Sequence, residues 1–271
     1  MIWLLYTKVT LFFGICMQLF CLDEGQTIDS TSPTCVIHNR DIAKQMKTVL
    51  RYRQWDIFAI QWTSSQTSQE EIKHTIRYTL ELTSIQNDVI TATITQQEHK
   101  PTTNKKKVWL LVAMPNKWSK IELIVQKCTE LWVDMLYFWQ AERSIIKHFG
   151  DNKLDRCNKI AREAVEQSRG RITPHIAYLT AKSFGSVVSQ ADICIFDKKT
   201  PQPQVAVSKT TSHTHLWIIW PEGWLSQGDY ERITTHCTIQ PAIKQLWDSV
   251  LRTETAAIIA TWELLHHSSQ F

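Results

Sequence analysis

Beyond residue 107 the chain alternates between short apolar runs and amphipathic stretches, and few arrangements can bury such a pattern. Val108 to Met114 (VWLLVAM) is almost wholly apolar, as a strand covered on both faces must be. In the segment that follows, Ile121, Ile124, Val125, Cys128 and Leu131 recur at helical spacing, with Lys120, Gln126, Lys127 and Glu130 facing water. Ser119, with Glu122 three residues on, predicts a capping box for this helix. Met135 to Trp139 reads as a strand, Asp151 to Ser168 and Ala181 to Ser189 as helices, Ile193 to Phe196 as a strand, and Leu216 onward as another. Strands alternating with helices predict an α/β layer around a largely parallel sheet.

The first part of the chain has a different period. Residues 17–97 read as a small, mostly β domain, because DIFAIQ (56–61), TIRYTLEL (75–82) and DVITATIT (88–95) alternate as strands do. A helix is expected across His38 to Leu50, capped by Asn39 or Asp41. Residues 98–107 (EHKPTTNKKK) are polar, hold a proline and lack apolar periodicity, so they read as the linker to a second domain at 108–271. Residues 1–16 are apolar but have no positive charge before Lys8 and no small-residue cleavage site. They fit neither a signal peptide nor, with Tyr6, Thr7, Lys8, Thr10 and Gln18 interrupting the run, a membrane span.

A net charge of +4 suits an anionic partner without requiring one. Seven cysteines without paired spacing read as reduced thiols of a cytoplasmic protein. His236-Cys237 and His266-His267 lack the further ligands a metal site needs, so no metal and no membrane association is expected.

Two runs near the C-terminus carry most of the functional information. Ile219-Trp220-Pro221-Glu222-Gly223-Trp224 follows a strand and precedes a helix-like segment from Gln227; Leu246 to Ala257 (LWDSVLRTETAA) opens an apolar helix about 25 residues later. Together with Thr129 to Asp134 (TELWVD), Ala141 to Ser144 (AERS) and Glu166-Gln167-Ser168, they resemble the family that methylates N3 of a uridine in 16S ribosomal RNA. That family is a branch of the SPOUT methyltransferases, and its motifs read GPEGG and LG..ILRTETA. The resemblance implies a C-terminal SPOUT domain with a deep trefoil knot and an N-terminal PUA-like β-barrel. Because MQLFCLDE from Met17 resembles the strand that opens the family, it also implies that Met17 is the natural start and that residues 1–16 are upstream sequence translated in error. It implies S-adenosylmethionine as cofactor, a homodimer, and ribosomal RNA of the small subunit as partner. Carried over position by position, Trp220, Gly223, Leu246, Ser249, Leu251 and Ala256 would line the cofactor pocket; plain core packing is the other reading of the leucines and Ala256. Arg252 would hold the uracil or its anion. Glu222 or Glu254 would orient that arginine or assist proton removal, although acids at a helix start also serve as caps. Arg51, Arg53, Arg143, Arg169 and Arg171 are the expected RNA phosphate contacts.

The sequence departs from the family in one systematic way. Average usage would place about 19 glycines in this length; the chain has 7, alongside 12 tryptophans. Trp55, Trp62, Trp118, Trp132, Trp220, Trp224 and Trp247 stand where the family has, or often has, glycine. The expectation is a gene whose UGA codons mean glycine and have been read as tryptophan, while Trp139 and Trp262 read as true tryptophans.

Overall fold

The computed structural model describes residues 17–22, 28–31, 33–63, 74–101, 107–146, 149–170, 173–196, 214–244, 246 and 249–267. The expected extension at 1–16, Arg171 and Trp247 lie outside them. The chain divides into two compact units, residues 1–102 and 103–271.

The first unit contains β1 (Leu19–Cys21), β2 (Ile28–Thr31), β3 (Thr34–His38), α1 (Arg40–Lys44), β4 (Ile57–Thr63), β5 (His74–Gln86) and β6 (Val89–Pro101). Its six strands form one sheet in the order β1-β4-β5-β6-β3-β2, antiparallel except for the β1–β4 pair. Alternate residues Phe58 and Ile60, Leu80 and Leu82, Ile90 and Ala92 turn inward onto Phe20, Ile37 and Met46. Asn39 caps α1, its side chain accepting from Ile42 N at 2.9 Å, and a π-helical turn, Gln45–Val49, continues it. Asn87 and Asp88, both at positive φ, make the tight β5–β6 turn. The linker is shorter than expected. Glu98 to Pro101 continue β6, because each still pairs with β5.

The second unit contains β7 (Lys107–Ala113), α2 (Trp118–Glu130), β8 (Met135–Trp139), α3 (Asp151–Ser168), β9 (His175–Leu179), α4 (Ala181–Val188), β10 (Asp192–Phe196), β11 (Thr214–Ile219), α5 (Gln227–His236), β12 (Ala242–Lys244) and α6 (Thr253–His267). All six strands are parallel, in the order β12-β10-β11-β7-β8-β9. Burial of β7, β8 and β11 on both faces explains their unbroken apolar sequences. The capping box at Ser119 does not form. The helix starts at Trp118 with Lys117 as its N-cap, and Glu122 instead accepts from Arg156 Nε (2.5 Å) and Nη2 (3.1 Å) of α3.

Three of the tryptophans at family-glycine positions occupy left-handed backbone: Trp55 at φ 78°, Trp132 at 64° and Trp224 at 65°. Each does so for a local reason. Asp56 N donates to Arg53 O, so Trp55 is the third residue of a β-turn, where φ near +80° calls for glycine. Past the end of α2, Val133 N bonds to Cys128 O and Trp132 N to Thr129 O, the two bonds of a Schellman motif. Its left-handed position, here Trp132, is usually glycine. Trp224 closes the turn that begins at Pro221, its N–H donating to Pro221 O at 3.0 Å. An L-residue in this region costs about 1–2 kcal/mol. By contrast Trp109, Trp139 and Trp217 are buried within strands, and none has a positive φ.

Candidate active site

In the parallel sheet β7 lies between β8 and β11. The chain leaves β7 through α2 toward β8 on one side, while β11 occupies the other. Connections therefore diverge beyond the carboxyl ends of β7 and β11, the place where ligands lodge in open parallel sheets. The first signature, 219–224, leaves β11 at this end, and Asn116 leaves β7 there.

The first signature is held from two directions. Arg143 Nη1 donates to Gly223 O at 2.9 Å, and a Cβ on Gly223 would come within 3.0 Å of Arg143 Cβ. Downstream, Ser226 caps α5 reciprocally with Asp229. The buried Asp229 carboxylate also accepts from Glu142 N at 3.0 Å, which fastens the 141–144 turn to the start of α5. Within the signature the indoles of Trp220 and Trp224 stack at 5.3 Å with an interplanar angle of 15°.

The two signatures are joined by a residue from α2. Lys120 Nζ donates to Glu222 Oε1 at 2.6 Å and lies 3.5 Å from Glu254 Oε2, an ion pair. Glu222 also accepts from Asn116 N at 3.1 Å. The hydrogen bond to Glu222, reinforced by the charges of both carboxylates, holds Lys120 above the usual lysine range. Sequence reasoning placed Lys120 on the solvent face of its helix and missed this bridge. A cation in the first turn of a helix opposes the macrodipole, so an acidic partner was its signal. Replacing Lys120 with Met leaves two carboxylates together without their cation. The expected cost is about 2 kcal/mol, or roughly 5 °C in Tm; calorimetry should show Lys120→Arg keeping most of the stability.

The remaining candidates are distributed unevenly. Arg252 is exposed, and its carbonyl accepts from Ala256 N at 2.8 Å to open α6. It forms no ion pair with Glu222 or Glu254 among the described residues, since Lys120 takes both. Leu246 and Leu251 pack against the core, Ala256 lies within it, and Ser249 is exposed. Thr253 Oγ1 is buried without a hydrogen-bond partner among the described residues, and the buried Glu254 Oε2 is held by the Lys120 ion pair. Arg143 serves the first signature rather than standing free for phosphate, and Arg169 adopts a left-handed φ of 53° at the end of α3. In the first unit Arg51 and Arg53 are exposed, and Arg53 N donates to Asp56 Oδ2 at 2.6 Å. Burial pushes the Cys128 and Cys194 thiols up to about 12, which removes them as nucleophiles near neutral pH. Among the described residues no cluster of His, Cys, Asp or Glu could hold a metal ion, and no helix is long and apolar enough to cross a membrane.

Comparison with known proteins agrees with this arrangement. The chain is 29% identical over 198 residues to ribosomal RNA small subunit methyltransferase E of Bacillus subtilis, a match covering 66% of this chain and 73% of that protein. The solved ribosomal RNA small subunit methyltransferase E of Neisseria gonorrhoeae, bound to S-adenosyl methionine, superposes with a TM-score of 0.67 at 19% identity, covering 92% of this chain and 98% of that one. A Legionella pneumophila methyltransferase in complex with the same cofactor gives 0.68 at 17% identity, covering 94% and 98%. These two likenesses speak for the fold. The sequence profile of the RNA methyltransferase domain matches residues 102–264, the whole of the parallel sheet with both signatures, and the chain belongs to that family.

Proposed function

We propose that this protein transfers a methyl group from S-adenosylmethionine to N3 of a uridine in 16S ribosomal RNA. The observation that carries the reading is the joining of the two signature loops, through Glu222, Lys120 and Glu254, at the carboxyl ends of β7 and β11. The residues present suit the cofactor in kind. A tight turn offers main-chain groups, and Thr253 Oγ1 is a buried polar atom without a hydrogen-bond partner among the described residues. When bound, S-adenosylmethionine supplies a methyl group on a sulfonium. N3 of uracil must lose its proton to accept that methyl, and the negative charge that develops needs a donor. Arg252 meets that need, since its guanidinium donates several hydrogen bonds and accepts no proton. Glu222 acts as a positioning residue through Lys120. Trp220, Gly223, Leu246, Ser249, Leu251 and Ala256 are the lining expected around the cofactor.

The target uridine must be unpaired or flipped from its stack, because its N3 edge is hidden in a duplex. Arg51, Arg53, Arg169 and Arg171 supply backbone contacts, the first two from a PUA-like first unit. Insertion of β11 between β7 and β10 supports a knotted C-terminal segment, and the exposed Val250 and Trp262 support a homodimer.

The functional protein, in this reading, carries glycine at 55, 62, 118, 132, 220, 224 and 247. The positive φ at three of these positions supports it. UGG codons at 220, 224 and 247 in the gene would remove this part of the reading. If the tryptophans are genuine, the stacked pair Trp220–Trp224 favours a second reading, a non-catalytic RNA-binding protein of the same fold. Incubation of unmethylated small-subunit ribosomal RNA with S-adenosylmethionine and the protein, followed by mass spectrometry of the nucleosides, decides between them. The enzyme yields 3-methyluridine, and the binding protein yields none.

A further inference from the structure

A cavity of about 350 Å³ opens beyond the carboxyl ends of β8 and β9, apart from the bridge formed by Lys120. Gln140, Glu142, Tyr178, Thr180, Gly228 and Arg232 line it. Its two charged walls are built differently from ordinary surface charges. A Cβ at Gly228 would collide with the Glu142 carboxylate, so that carboxylate lies directly over the main chain of the first turn of α5. The Arg232 guanidinium is held on aromatic faces, 4.4 Å from the Phe184 ring centre and 5.5 Å from that of Trp139. Asp229, which could have neutralised Arg232, is instead occupied by Glu142 N and Ser226 N. Neither Glu142 nor Arg232 forms an ion pair among the described residues. The cavity thus offers an acceptor-only wall, a donor-only wall, and the ring of Tyr178, which is stacked on Phe149 at 5.7 Å.

We infer that this cavity binds an unpaired guanine of the RNA substrate, next to the methylated uridine. Guanine presents N1–H and N2–H₂ together on one edge, which suits a carboxylate, and O6 and N7 on the adjoining edge, which suits a guanidinium. Adenine has no N1–H and no O6, and the pyrimidines lack the second edge. The place is also right, because Arg143 beside Glu142 holds Gly223 of the first signature. A nucleotide seated here lies one turn of chain from the loop proposed to hold the cofactor. The inference rests on the reading of the chain as an enzyme acting on unpaired RNA.

The test is titration of the full chain with guanosine, inosine, adenosine and uridine 5′-monophosphates, followed by nuclear magnetic resonance or calorimetry. Guanosine monophosphate should bind about tenfold or more tightly than adenosine or uridine monophosphate, with inosine monophosphate weakened by loss of its amino group. Glu142→Gln, a change at an exposed side chain, should abolish the preference for guanosine over inosine. Arg232→Met, which keeps the packing on Phe184, should weaken both equally. Equal binding of all four nucleotides, no binding of any, or a preference that survives Glu142→Gln overturns the subsite. Binding of S-adenosylmethionine and formation of 3-methyluridine are measured on the same protein. Their loss in the parent defeats the proposed function, whereas their presence alongside indifferent nucleotide binding defeats only the subsite.

Discussion

Glycine at 220 and 224 in place of both tryptophans raises the affinity for S-adenosylmethionine by at least about tenfold, or about 1.4 kcal/mol. Two opposing effects set this expectation. Trp220 is 5% exposed, and truncating a core tryptophan costs about 3–5 kcal/mol in stability. Against that, glycine at 224 relieves a left-handed φ of 65° worth about 1–2 kcal/mol. It also removes one partner of a stacked pair lying on the turn whose main chain has to approach the ligand. Stability and affinity therefore move separately, and calorimetric titration of parent and double variant reads the second. If the parent binds the cofactor as tightly as the variant, the indoles form a wall of the site, and the glycine reading fails at these positions.

Arg252→Ala lowers kcat by about 10²–10³, the usual effect of losing one donor to a developing negative charge. Cofactor affinity should hardly change, because Arg252 in this role holds the uracil and not the cofactor. Tm should also stay within the range of an ordinary surface substitution, since the side chain is exposed and forms no ion pair among the described residues. Single-turnover methylation of ribosomal RNA separates these quantities. A fall in cofactor binding equal to the fall in rate would move Arg252 from the substrate to the cofactor. An unchanged rate would remove it from the mechanism.

Much of the fold could be read along the chain. The strand Met135–Trp139 and the helix Asp151–Ser168 lie where apolar periodicity put them, because whether a residue is buried or solvated repeats locally with the period of its own element. Helix starts were less legible. Ser119 and Glu122 have the spacing of a capping box, but Arg156 of α3 draws Glu122 away from the start of α2, a competition that no local window contains. β12 was not expected at all; three residues gain their strand character only from pairing with β10.

The site divides along the same line. The sequence by itself determined most of the strands and helices and the two signature runs, because both are written in neighbouring residues. The resemblance also marked seven tryptophans at positions where the family has glycine, and three of them, Trp55, Trp132 and Trp224, lie on left-handed backbone, where glycine is favoured. Only the tertiary structure decided that Lys120 ties Glu222 to Glu254, and that Glu142 and Arg232 face one cavity from the β8 turn and α5. Glu222 is 102 residues from Lys120 in the chain. They meet because β11 enters the sheet beside β7, and a pairing between distant strands depends on how their buried faces pack together rather than on any pattern within either one.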